Sequence, residues 1–417
     1  MRKLSLIFVL LYIANMFANA QPKRIEDSDT YWELRGDTLF ITGKGRMKYT
    51  GNKPMAWGSV KHQVKHAVIE EGVTFLSSSA FADCFQLTDV HLPQSLRSVG
   101  RTAFADDSNL RHCRFPEKLD SIGESAFYHA LTQDTLLLPE QVFYLGGSSF
   151  ARSPVTHVEI PYKVDSLHGA FANTVSLVSV ILPAGLRQMQ TSFCKDSMLR
   201  LIVSLSVVPP TFYYPSDSWA HTFYLVKRSK CRLIVPTSAV AAYGSAPMWK
   251  DFIIEGGGLS VGVCFNDKKK GYVHGLENRF YRIGEKVSLN AEPRGNCTFI
   301  GWKSNGQLIS TANPLTITVT KDTLLQACFE GEVSVKEAKK LPTTGNDIYL
   351  HPNPAQDGFR VHSPSVVNKI TLYDLSGRRL LQVENNTYVN IATLSKGVYI
   401  VELQTAKGHF VKKLVKQ

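Results

Sequence analysis

Between residues 87 and 127 the apolar positions fall into one unit written twice. The first copy reads Leu87, Val90, Leu92, then Leu96 and Val99, then Ala103-Phe104; the second reads Leu110, Cys113, Phe115, Leu119, Ile122 and Ala126-Phe127. Alternation at Val90/Leu92 and at Cys113/Phe115 predicts a short strand with one buried face. Pro93 and Pro116 follow directly, and a residue without an N–H stops the strand and turns the chain. Gly100 and Gly123 are expected to supply a positive-φ turn. The Ala-Phe pair then fills the interior opposite the strand.

The unit repeats. Phe81, Phe104, Phe127, Phe150, Phe171 and Phe193 are separated by 23, 23, 23, 21 and 22 residues. Apolar-Pro pairs follow the first five, at Leu92-Pro93, Phe115-Pro116, Leu138-Pro139, Ile160-Pro161 and Leu182-Pro183. Such self-similarity predicts stacked coils that share one core. Terminal coils must cover that core, and the chain is atypical at both ends of the repeat. Trp32, the Thr38–Thr42 run and Trp57 precede it, while Tyr243, Trp249 and Phe252 follow.

The repeated Leu-x-x-Val-x-Leu-Pro-x-x-Leu-x-x-Val-Gly-x-x-Ala-Phe unit resembles the BspA-type leucine-rich repeat of bacterial surface proteins, over about residues 31–256. The predicted class is therefore mainly β: a leucine-rich-repeat solenoid of 22–23-residue coils, a small β module and a C-terminal Ig-like β-sandwich. The expected division is a cap at 21–66 and a solenoid with its C-terminal cap at 67–256. A β module at 257–331, a linker at 332–346 and a sandwich at 347–417 follow. The resemblance implies adhesion to host matrix and plasma proteins.

Both ends address the chain. Arg2 and Lys3, an apolar run from Leu4 to Phe17 and Ala18-Asn19-Ala20 read as a secretory signal over 1–20, with maturation at Gln21. At the other end come His351-Pro352-Asn353-Pro354, Ile370–Arg378 with Ser376-Gly377, Gly397-Val398-Tyr399 and a basic terminus. Together they resemble the type A sorting domain of the type IX secretion system. That likeness implies the secretion machinery as a partner through residues 347–417, passage across the outer membrane of a Gram-negative cell, and attachment to surface lipopolysaccharide or release. Between solenoid and tail, Tyr281-Arg282, Gly284, Val287, Leu289 and Phe299-Ile300-Gly301-Trp302 resemble the divergent internalin-B-type repeat. There Trp302 is expected in the core.

Composition narrows the function class. The net charge of +12 is distributed as +2 over 1–20, from Arg2 and Lys3, +4 over 21–66, −2 over 67–256, +4 over 257–346 and +4 over 347–417. The repeat region therefore lacks the basic stripe of a nucleic-acid binder, and no nucleic-acid partner is expected. Lys268-Lys269-Lys270 reads as a solvated hairpin tip. Of seven cysteines, Cys84, Cys113 and Cys194 read as small core hydrophobes. One bridge among Cys264, Cys297 and Cys328 is left open. His-Glu-x-x-His, Gly-x-Ser-x-Gly and a phosphate-cradling loop are all absent from the sequence. The chain is read as non-catalytic, with no cofactor and no metal ligands. His62 and His66 are read as a solvated pair.

If Val90 and Leu92 point inward, alternate residues face outward. One outward column reads Asp89, His112, Thr135, His157, Ser179, Leu201, and the other His91, Arg114, Leu137, Glu159, Ile181, Val203. An apolar patch with a charged margin is the usual look of a protein-binding site. From these columns His91, His112, Arg114, Leu137, His157, Glu159, Ile181 and Val203 are the candidate ligand-binding residues, for host extracellular or bacterial surface proteins. Two alternatives stay open: a cap or the middle module covers the later coils, or the chain is a glycan-binding or envelope scaffold protein acting through the middle module.

Overall fold

The computed structural model describes residues 22–48, 55–131, 135–213, 221–333, 349–351, 355–363, 366–374, 379–405 and 408–416. The expected export signal, the Pro352–Pro354 and Ser376-Gly377 motifs and residues 334–346 of the expected linker lie outside them.

The repeat forms a solenoid whose interior is a file of aromatic rings. Phe81, Phe104, Phe127, Phe150, Phe171 and Phe193 stack in order, with centroids 5.0–6.2 Å apart and planes within 13° of parallel. Each is fully buried. Backbone bonds follow the same file: the Phe81 N–H donates to the Ala103 carbonyl at 2.7 Å and the Phe104 N–H to Ala126 at 2.8 Å. One coil thus satisfies its turn only through the next, which is why the unit exists as a stack.

A seventh ring, Phe223, continues the file 6.1 Å from Phe193. Thirty residues separate it from Phe193, so the periodicity did not include it. The ends are sealed as expected. Trp57 packs 5.9 Å from Phe81 and donates its indole N–H to the Ala80 carbonyl at 2.9 Å. Trp249 packs 5.2 Å from Phe223 and donates to the Pro210 carbonyl at 2.9 Å. The antiparallel hairpin Thr30–Arg35/Thr38–Gly43 pairs in parallel with His66–Ile69, which joins the N-terminal cap to the first coil.

Each coil contributes two strands rather than the single one predicted. The first wall holds the strands that end before Pro, among them Asp89–His91 and His112–Arg114 in one sheet. His157–Glu159, Ser179–Leu182, Leu201–Ser204, Arg232–Val235 and Ile253–Gly256 lie in the next. The second wall is made of shorter pieces such as Ser98–Val99, Ser121–Ile122 and Tyr144–Leu145. Two residues are too few to show an alternation, so this wall left no periodic trace.

The glycine expectation is corrected. Neither Gly100 nor Gly123 has positive φ; that conformation falls on Thr102 (51°) and Asp106 (64°), and on Ser125 (53°) and His129 (51°), two residues either side of the phenylalanine. Gly100 and Gly123 are required for a different reason. A Cβ on Gly100 would lie 2.6 Å from the Ser78 backbone nitrogen, so the coils approach too closely there for any side chain.

The middle module has a five-stranded sheet containing Leu259–Phe265, Thr323–Glu330 and Thr298–Ser304, with a three-stranded sheet around Lys286–Pro293. Trp302 is fully buried in its core. The C-terminal part is a two-sheet antiparallel sandwich of seven strands, closed over Phe359, Ile370, Leu372, Val401, Leu403 and Leu414. All seven cysteines are free, and only Cys264 is not buried.

Candidate functional site

The first wall sorts its residues by face. Val90, Cys113, Leu136, Val158, Val180, Ile202 and Leu233 are buried, so their neighbours along each strand point outward. Parallel register aligns these outward residues from coil to coil. His91 stands opposite Arg114. Glu159, Ile181, Val203, Ile234 and Glu255 form one unbroken rung series, and His157, Ser179, Leu201, Arg232 and Ile253 another.

The eight candidate residues therefore share one face, but not one environment. Leu137 is 78% exposed, and His112, Arg114, His157 and Glu159 are exposed. Ile181 and Val203 are half-buried between neighbouring rungs. His157 Nδ1 lies 2.7 Å from the Ser179 hydroxyl. Asp89, read as an open polar residue, is buried, with its carboxylate 2.9 Å from His66 Nδ1 and 3.9 Å from His112 Nε2. Among the described residues, no group of three or more His, Cys, Asp or Glu is arranged to hold a metal ion.

His91 is the departure from the expected open face. It is half-buried, and burial lowers its pKa to about 4, against the opposing pull of Glu402. Glu402 belongs to the strand Gly397–Thr405 of the C-terminal sandwich and accepts the Tyr373 hydroxyl at 2.8 Å. Burial, the largest influence, and Glu402 raise the Tyr373 pKa, against the pull of Arg114. The sandwich carboxylate thus acts on the early end of the face at His91, while His112 and Arg114 beside it stay exposed.

Sequence reading missed Ile234 and the Arg232–Glu255 pair, a two-pronged contact at 2.7 and 2.8 Å. The long seventh coil shifts them out of period, although the Leu233-Ile234-Val235-Pro236 run carries the strand signal. At that end Phe280 packs on Gly257 beside Ile234.

The middle module otherwise docks beside Pro161 and Pro183 and against Asp120 and Asp165. The Tyr162 hydroxyl donates to the Val273 carbonyl at 2.7 Å, and the Asn278 side chain donates to the Ile160 carbonyl at 3.2 Å. Buried Lys163 donates to the Gly271 carbonyl at 2.8 Å, with its ammonium 4.4 Å from the Tyr272 ring and 5.0 Å from Phe265. Arg294 pairs with buried Asp120 at 2.6 Å. Lys268, expected in solvent, instead pairs with Asp165 at 2.8 Å.

Comparison with known proteins follows this division. Residues 63–200 match the BspA type leucine rich repeat region in six copies, residues 261–332 the divergent InlB B-repeat domain, and residues 349–417 a secretion system C-terminal sorting domain. No curated protein matches the chain. Among solved structures, it is similar to a leucine-rich repeat protein from Eubacterium ventriosum, with 19% identity, 51% of this chain covered and a TM-score of 0.37. The match spans 65% of that protein's length. A leucine-rich repeat protein from Bacteroides ovatus aligns over 57% of this chain and 70% of its own length, at 18% identity and a TM-score of 0.34. The T. pallidum leucine rich repeat protein aligns over 38% and 81%, at 22% identity and a TM-score of 0.29. These repeat families are not enzyme families. Among the described residues, no helix is long and apolar enough to cross a membrane. The sorting domain directs type IX secretion to the cell surface or the extracellular space. The chain is built from BspA-type leucine-rich repeats, a divergent InlB B-repeat domain and a secretion-system C-terminal sorting domain.

Proposed function

We propose that this surface protein is a non-catalytic adhesin. On this reading the first wall of the solenoid binds host matrix or plasma proteins, or proteins of other bacterial surfaces. The observation that carries it is the rung series Glu159, Ile181, Val203, Ile234 and Glu255, in which three aliphatic side chains face outward between two carboxylates. Exposed Leu137 and His157 lie alongside. An aliphatic centre with a charged rim is what a protein partner desolvates, and the middle module leaves most of that centre uncovered. The repeats at 67–256 are the binding part, the cap at 21–66 and module at 257–331 hold them rigid, and residues 347–417 engage the secretion machinery. Attachment to surface lipopolysaccharide after export belongs to the same reading.

Binding of the mature chain to immobilised matrix and plasma proteins tests it. Replacing Arg114, Leu137 and Ile181 together should weaken every interaction found by tenfold or more; unchanged binding would refute the face. A second reading places contact on the middle module, where Leu308 and Ile309 are at least half exposed. Glycan-array signal that survives the triple substitution and is lost on Leu308→Ser/Ile309→Ser would favour it.

A further inference from the structure

A crevice of about 470 Å³ opens where the sixth coil meets the middle module. That volume lies in the range of small-molecule sites, which favour the junctions between domains. Its walls include Leu205, Val208 and Pro209 from the solenoid and Leu324 from the module. Val208 is 69% and Leu324 43% exposed, so the trough leaves aliphatic surface in water. The junction beneath it is fixed. The Ser260 hydroxyl donates to the Leu205 carbonyl at 2.6 Å, and a Cβ on Gly262 would lie 2.4 Å from the Ala184 Cβ.

The polar groups around the trough are unequal. The hydroxyls of Ser206, Thr211 and Thr323 all donate to carbonyls of the chain itself. The Asp322 carboxylate accepts the Ser260 N–H at 2.6 Å and the Ser238 hydroxyl. Arg187 differs: it lines the crevice, is exposed, and its guanidinium forms no hydrogen bond or ion pair among the described residues. Its charge reaches the half-buried Cys264 thiol in the same lining, where it favours the thiolate against the effect of burial.

One unpaired cation beside an aliphatic trough fits one anionic head on an unbranched apolar tail. A peptide would bring a row of amides for which the committed hydroxyls offer little. We propose that this crevice binds a medium-chain aliphatic carboxylate, with the tail along Leu205, Val208, Pro209 and Leu324 and the carboxylate on Arg187. The site lies at the module corner, apart from the first wall, so it stands or falls independently of the adhesin reading.

Dodecanoate, below its micellar concentration, is the probe, and the full mature chain is the protein. Calorimetry should show one saturable site, and dodecanoate should slow alkylation of Cys264, the one thiol of seven that is not buried. Arg187→Ala should weaken binding about tenfold, the loss of one charge-assisted hydrogen bond, and dodecanol should bind the unaltered protein more weakly by a similar factor. Val208→Trp, at an exposed position, should fill the trough and abolish binding while leaving the melting temperature unchanged. Absence of saturable binding, equal affinity in Arg187→Ala, or tighter binding of a peptide ending in leucine would each overturn the proposal.

Discussion

Gly123 sits against Gly100 of the preceding coil, backbone on backbone. A Cβ placed on Gly123 would lie 2.7 Å from both the Gly100 carbonyl carbon and the Arg101 nitrogen. The contact recurs at Gly146, where a Cβ would lie 2.3 Å from the Glu124 nitrogen. Both partners are backbone atoms, so no rotamer change relieves the overlap. Gly123→Ala should therefore destabilise the solenoid by roughly 1–3 kcal/mol, as overpacking does. Chemical denaturation measures this, and a change below about 0.5 kcal/mol would contradict the close-approach account.

Asp107 supplies a pH test of the stacked turns. Its carboxylate accepts the Cys84 N–H at 2.8 Å, while its other oxygen is buried without a partner. Burial, the largest influence, pushes its pKa up to about 9 from an ordinary value of 3.8. Between those values the folded chain holds a proton that the unfolded chain has released, so raising the pH favours unfolding. Stability from this group is complete below about pH 4 and is lost progressively towards pH 9, by at most about 1.4 kcal/mol per pH unit. Asp107→Asn should flatten the fall in melting temperature between pH 5 and pH 8 and be the more stable protein at pH 8.

Lys163 works in the opposite sense. Burial lowers its pKa to about 7 from 10.5, with Asp120 opposing the shift. Between these values the unfolded chain binds the extra proton, so stability rises with pH, and the penalty is complete below pH 7. Lys163→Met keeps the apolar stem among the rings but loses the bond to Gly271, worth about 1 kcal/mol. The substitution should raise the melting temperature at pH 6 and leave it nearly unchanged at pH 10. Equal effects at both would show that the ammonium is not desolvated by the module.

The sandwich beside the early coils predicts a change at His91. Removing residues 347–417 should expose the imidazole and return its pKa from about 4 towards the ordinary 6.5. Loss of Glu402 acts the other way, but burial is the larger influence. Histidine titration by NMR in the full and shortened chains reads this out, and an unmoved value would place the burial within the solenoid itself.

Much of the solenoid was legible because each coil spends the same residue types on the same tasks. Phe104 and Phe127 fill equivalent interior sites, and Pro93 and Pro116 end equivalent strands. The alternation that buries Val90 and Val158 also gave the outward columns, with Asp89, buried, and His91, half-buried, as departures from them. What stayed hidden depends on partners far away in sequence. Nothing near Tyr162 or Lys163 announces a contact with Val273 or Gly271, more than 100 residues on. Lys268 looked like a solvated lysine because Asp165 is brought to it only by docking. The glycine role was misread because a turn and a close approach select the same residue, and only the stacked neighbour distinguishes them.

Photo-crosslinking from single positions tests the binding face most directly. A crosslinking side chain placed at Leu137 or Ile181 on the first wall is compared with one at exposed Tyr144 on the second. After exposure of each surface-displayed protein to matrix and plasma proteins, adducts should form from Leu137 and Ile181 and not from Tyr144. Adducts from Tyr144 alone would contradict the account.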